Sequence, residues 1–196
     1  MLVIGLTGIS GSGKGYVCGI FAKYGIPSID SDKIVHELYK NSENCKSALV
    51  SLFGASVVCE DGSVNRAALS QIVFSDKEKL KQLNMAVHGF VLEEIGCLIN
   101  EYREKNTKAV IIDAPMLFES GLDRKCDLII SVISDRKSRI SRICERDKIS
   151  REKALQRLAN QHTDRYFKNR SDEIIYNSGE NVEEQVVKIL SKTGLL

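Results

Sequence analysis

Seven residues, Gly8-Ile9-Ser10-Gly11-Ser12-Gly13-Lys14, constrain this chain more than any other stretch. They follow an apolar run, Leu2 to Leu6, and precede an amphipathic one, Val17 to Tyr24. Strand, glycine loop and helix in that order make a G-x-x-x-x-G-K match a phosphate-binding candidate. Glycines let backbone N–H groups converge on an anion with no side chain in the way. The helix that follows points its positive dipole end at the same spot. Lys14 adds a charge suited to β- and γ-phosphates. One position departs from the motif. A Ser or Thr after the Lys would offer its hydroxyl to magnesium, but Gly15 and Tyr16 stand here. The backbone cradle survives this change; the direct metal ligand does not. Either water and carboxylates elsewhere, such as Asp32 or Asp113, hold the ion, or turnover is weak.

The pattern around the loop reads as alternating strands and helices. Leu2 to Thr7 is a continuous apolar run, as in a parallel strand covered on both faces. Val17, Ile20, Phe21 and Tyr24 fall at helical spacing, Gly25 ends that helix, and a short strand follows at Ser28-Ile29. Asp30-Ser31-Asp32 closes this strand, with Asp30 or Ser31 placed to cap the next helix. Ligands of open α/β sheets bind beyond the carboxyl ends of the strands. Asp32 is therefore either a proton acceptor for an attacking hydroxyl or a second capping residue.

From Asn41 to Asn106 helical patterns dominate. Candidates are Ala48 to Phe53, Arg66 to Val73, and Lys77 to Arg103, with a polar turn at 60–63 and a break or bend expected at His88-Gly89. His88 is either a substrate contact or a packing histidine, and spacing favours packing. The block lies between two strands and reads as an insertion that could hold a second substrate. Ala109 to Asp113 is the next buried strand, and its terminal Asp matches the pattern that orients magnesium or its water shell. Glu119, in the loop beyond, is either a substrate or metal-shell group or a solvated acid. Asp127 to Ile133 is a fourth strand, and Asp172 to Asn177 a fifth.

Between Ser134 and Arg170 there are twelve Lys or Arg against five Asp or Glu, an excess of seven, while the whole chain carries only +2. Such an excess suits nucleic acid or the phosphates of a small ligand. Few aromatics interleave it, and it carries no base-reading signature, so nucleic acid is disfavoured. Arg142 and Arg146 share a helix face and suit a polyphosphate. At 196 residues the chain suits one domain. No apolar run predicts a membrane span, and the immediate first strand leaves no room for a signal peptide. The six cysteines form no C-x-x-C pair; they are expected to be reduced and buried in a cytoplasmic protein.

Taken together, the chain resembles the dephospho-CoA kinase family along essentially its whole length. The resemblance rests on Gly5 to Lys14, Ile29 to Asp32, Asp61 to Arg66, Asp113 to Glu119, Arg142 with Arg146-Asp147, Arg157 and Gln161, and Ile175 to Gly179. Their order and spacing carry it. It implies an α/β P-loop fold with a five-stranded parallel sheet flanked by helices. Its core would be 1–41, 107–133 and 169–196, with a helical CoA-binding insertion at 42–106 and a helical lid at 134–168. It implies ATP and Mg2+, and transfer of the γ-phosphate to the ribose 3′-hydroxyl of dephospho-CoA, the last step to CoA.

By the same resemblance Lys14, Asp32, Arg142 and Arg146 are catalytic. ATP is bound by Gly8, Ser10, Gly11, Ser12, Gly13, Lys14, Gly15, Tyr16, Arg146 and Asn177. Dephospho-CoA is bound by Thr7, Asp32, His36, His88, Asp113, Leu117, Phe118 and Glu119. The partners implied are these small molecules, with no nucleic acid and no membrane, and a monomer is favoured. The chain departs from the family at Gly15-Tyr16, where Ser-Thr is usual, at His36, where Arg is common, and at Gly89, where Pro is usual. Rival readings are a kinase for another nucleoside or nucleotide, and a weakly catalytic ATP-binding regulator.

Overall fold

A computed structural model describes residues 1–74 and 76–196, and the side chain of every one of these except Phe74. The chain divides into two compact units, one of residues 1–29 with 101–196, the other of residues 30–100.

The first unit is built on a sheet. Strands β1 (Leu2–Thr7), β2 (Ser28–Asp30), β3 (Ala109–Asp113), β4 (Leu128–Ile133) and β5 (Glu173–Tyr176) are parallel, in the order β2-β3-β1-β4-β5. Helix α1 (Lys14–Lys23) follows β1, and the chain ends on α9 (Val182–Lys192). The central strands read as unbroken apolar runs because both their faces are covered. Ile4, Leu6, Ile111, Ile130 and Val132 are fully buried, as are Val17, Phe21 and Val186 from α1 and α9. Burying each such side chain contributes roughly 1.5–3 kcal/mol. Register sets the edge from which the glycine loop leaves: Leu6 lies beside Asp113 and Thr7 beside Ser131, so β1 and β3 end within a residue of each other while β4 runs on to Ile133. Residues 134–168, expected as a lid, belong to this unit. They form α6 (Arg136–Asp147), α7 (Arg151–Ala159) and α8 (Asp164–Lys168).

The second unit holds α2 (Ser31–Asn41), α3 (Glu43–Phe53), α4 (Arg66–Phe74) and most of α5 (Lys77–Glu104). Cys45, Leu49 and Val57 are fully buried within it. Its start lies earlier than the expected boundary at 42. The reason is local bonding: Val64 N–H donates to Tyr39 O, and Lys46 Nζ to Lys40 O, which ties α2 to the residues after it. Helix α5 runs unbroken through His88-Gly89, contrary to the expected break. Gly89 keeps the N–H that a Pro would lack, and its cost of about 1 kcal/mol is outweighed by the buried row Val87, Val91, Ile95 and Ile99.

Among the described residues no helix is long and apolar enough to cross a membrane. The six cysteines are free, but Cys59 and Cys97 are exposed rather than buried.

Candidate active site

The loop between β1 and α1 can be read group by group. The carbonyl of Gly8 accepts from Lys14 Nζ at 3.4 Å. That of Ile9 accepts from Ser12 N–H at 3.0 Å, and that of Gly13 from the N–H groups of Tyr16 and Val17. Arg142 donates to the carbonyls of Gly11 and Ser12, both at 3.1 Å, and Asn177 Nδ2 donates to Ser12 O at 2.8 Å. The N–H groups of Gly11, Gly13, Lys14 and Gly15, by contrast, have no hydrogen-bond partner among the described residues. Carbonyls tied back and amides left over make an anion nest at a helix N-terminus.

Two glycines are required by contact as well as by conformation. A Cβ on Gly11 would lie 2.6 Å from Arg139 O, because α6 packs its backbone against the loop. A Cβ on Gly13, whose φ is 98°, would lie 2.1 Å from Asn177 Nδ2. Gly15 differs: nothing lies within 4 Å of a Cβ built there.

Arg142 and Asn177, expected at the nucleotide, are engaged with the loop itself. Arg142 also donates to Asn177 O at 3.0 Å, so the residue after β5, helix α6 and the loop form one partly buried brace. Arg146 forks onto Asp147 at 2.7 and 3.0 Å, and Arg157 also reaches Asp147. The Arg146 hydrogen bonds, with the charges of both guanidiniums, hold Asp147 down to about 2.

Thr7 and Leu117, expected at the acceptor, are fully buried. Thr7 Oγ1 donates to Pro115 O at 3.3 Å, bracing β1 against the segment after β3. Leu117 sits against the backbone of Gly5 as a core residue. Phe118 packs edge-on against Tyr166, and Glu119 Oε1 meets His162 Nε2 at 3.0 Å. The motif quoted for 113–119 thus divides its labour between core and surface.

Asp113, at the end of β3, accepts from Cys18 Sγ at 3.7 Å. Burial first, then the Asp113 charge, pushes the Cys18 thiol up to about 12. Gly15 offers magnesium no side-chain oxygen. Ser12 Oγ is buried under the loop, 3.1 Å from where a Gly8 Cβ would lie, so it is no substitute. Among the described residues no three His, Cys, Asp or Glu cluster as a ready-made site. A single hard carboxylate at the loop edge fits an ion that keeps most of its waters and is held chiefly by substrate phosphates.

In the second unit, Asp30 rather than Asp32 caps α2: its Oδ1 accepts the N–H groups of Asp32 and Lys33 at 2.9 and 3.0 Å. The Asp32 side chain is exposed in the first turn. His36 Nδ1 lies 2.7 Å from Asp32 O on the same helix. His88 Nε2 is buried without a hydrogen-bond partner among the described residues.

The cysteine beside Asp113 and the hydrogen bond from Ser10 N–H to Gln161 Oε1 at 2.9 Å went unassigned in the sequence reading. Gln161 stood in the quoted pattern, which was the available signal. Cys18 gave none, since a buried thiol reads as a small apolar residue.

Residues 2–183 match the family model of dephospho-CoA kinase. The chain is 37% identical to a dephospho-CoA kinase of Fusobacterium nucleatum, over 96% of its own length and 95% of the relative's. It is 34% identical to one of Lactobacillus johnsonii, over 97% and 98%. Among solved structures, a Thermus thermophilus protein superposes with a TM-score of 0.82 at 30% identity, covering 98% of this chain and 97% of that one. A dephospho-CoA kinase from Campylobacter jejuni gives 0.72 at 26% identity, covering 97% and 96%.

Proposed function

The chain belongs to the dephospho-CoA kinase family, and from that premise we propose that its glycine loop holds ATP while Asp32 receives the proton of the acceptor hydroxyl. The reaction moves the γ-phosphoryl group of ATP to the ribose 3′-hydroxyl of dephospho-CoA, giving CoA and ADP, the final step of CoA biosynthesis. The observation that supports the nucleotide assignment is the set of four unclaimed amides in a loop whose carbonyls are tied back.

In this reading the amides of Gly11, Gly13, Lys14 and Gly15 bind the phosphate oxygens, and Lys14 follows the charge that moves with the phosphoryl group. Asp32 stands directly after β2, at the strand edge where α/β sheets carry their ligands. Its exposed carboxylate orients the 3′-hydroxyl and takes its proton as the O–P bond forms. The excess of positive charge between 134 and 170 compensates the phosphates and draws them in. Magnesium, when bound, would neutralise phosphate charge, with the carboxylate of Asp113 at the loop edge to hold its water shell. Residues 30–100 carry the acceptor, with His36 and His88 among its contacts.

The test is an acceptor panel. Supplied with ATP and Mg2+, the protein should form ADP one for one with a 3′-phosphorylated product from dephospho-CoA, and not from free nucleosides or nucleoside monophosphates. Equal rates on another nucleoside would reassign the acceptor. Tight ADP binding with no product from any acceptor would favour a regulatory protein, the outcome that Gly15 makes worth testing.

A further inference from the structure

The segment 134–168 meets the glycine loop twice. From α6, Arg142 holds the carbonyls of Gly11 and Ser12. From beyond α7, Gln161 Oε1 accepts the N–H of Ser10 at 2.9 Å, across 151 positions of sequence. Three successive loop residues are thus gripped from the two ends of one helical hairpin. The hairpin is itself fastened, by an apolar seam of Ile140, Ile143 and Ala154 and by Arg146 and Arg157 on Asp147.

The bond at Ser10 completes a specific constraint. The Ile9–Ser10 peptide has two polar ends. Its carbonyl accepts from Ser12 N–H at 3.0 Å, and its N–H donates to Gln161. With both ends occupied the peptide plane is restrained, which narrows the directions open to the next amide, that of Gly11. Gln161 is itself held in place by its neighbour. His162 Nε2 contacts Glu119 Oε1 at 3.0 Å, and its ring stacks on Tyr166 with centroids 3.7 Å apart. The reaction scheme above leaves Gln161 without a task.

We propose that Gln161 is a positioning residue for the nucleotide: by taking the Ser10 N–H it presets the glycine loop so that the amides after it face a triphosphate. This rests on the loop being the ATP site, and it assigns Gln161 no contact with ATP. Its effect falls on nucleotide affinity, since an unpinned peptide must be ordered when the phosphates arrive. It does not extend to the acceptor.

The experiment uses Gln161→Met, which keeps the length and removes the acceptor oxygen, and Gln161→Glu, which keeps an acceptor. Gln161 is exposed, so neither change opens a core. In the Met variant the dissociation constant of ADP by calorimetry and the KM for ATP should rise about three- to tenfold, the worth of one hydrogen bond. The KM for dephospho-CoA and the melting temperature should hold, and Ser10 amide hydrogen exchange should quicken in the free protein. The Glu variant should keep Ser10 protected. Wild-type ADP affinity together with wild-type Ser10 exchange in the Met variant would overturn the proposal. So would an equal rise in both KM values, or a Glu variant as unprotected as the Met one. Product formation by the wild-type protein tests the ATP site separately, so the two readings fail in different ways.

Discussion

The proposed function draws on different materials in the glycine loop and in the second unit. In the loop, the working groups are backbone amides, and the side chains around them, Arg142, Asn177 and Gln161, act on the backbone. In residues 30–100, the candidates Asp32, His36 and His88 are side chains on helices, and the contact that His36 makes is with its own helix. A backbone site is complete before any ligand arrives, because turn geometry and tied carbonyls make it. A side-chain site gains its chemistry from the group the substrate presents. Damage to the first should therefore destroy nucleotide binding, and damage to the second should spare it.

The largest break is expected at Lys14. Lys14→Ala should lower kcat/KM about a thousandfold, since it removes the charge that the proposed mechanism gives to the transferring group; steady-state rates at saturating Mg2+ check this. Next is Gly13→Ala. Its Cβ would meet Asn177 at 2.1 Å with φ at 98°, which costs about 1–3 kcal/mol of stability by denaturant titration and lowers ADP affinity more than tenfold. Gly15→Ser sharpens the contrast in the other direction. The site has room for a Cβ, so the variant should bind Mn2+ with the nucleotide severalfold more tightly in an electron paramagnetic resonance titration, with melting temperature unchanged. An unaltered Mn2+ affinity would mean that the ion never draws on this position.

The smallest effect belongs to the ion pairs around Asp147. Asp147 is lowered from an unfolded value of 3.8 to about 2 by Arg146 and Arg157. Its stabilising effect is therefore fully present above pH 3.8, and is lost as pH falls through about 2. The difference in melting temperature between wild type and Asp147→Asn should be constant from mildly acidic to mildly basic pH and should vanish in strong acid.

Much of this was legible in the sequence because the informative residues act through backbone rules. Glycine spacing after an apolar run identified the loop, and apolar runs identified the strands to within a residue or two at each end. Other features depended on contacts between distant residues. Thr7 stands at a strand end and Leu117 in the segment after β3, and only the packing around them shows that both are fully buried. Arg142 reads as a phosphate ligand by charge, and only the fold shows that its guanidinium donates to the carbonyls of Gly11 and Ser12. Gly89 looks like a helix break by propensity, yet the buried row on α5 overrides it. Spacing along the chain cannot tell a guanidinium that meets a ligand from one that holds the loop beneath it.

The division between the two regions is tested most directly by Asp32→Asn, with ATP affinity and turnover measured on the same sample. The expected result is an ATP dissociation constant within about twofold of wild type and a kcat lowered about a hundredfold or more, the scale of a lost general base. Near-normal turnover would contradict the role given to Asp32, and a matching loss of ATP affinity would contradict the independence of the loop.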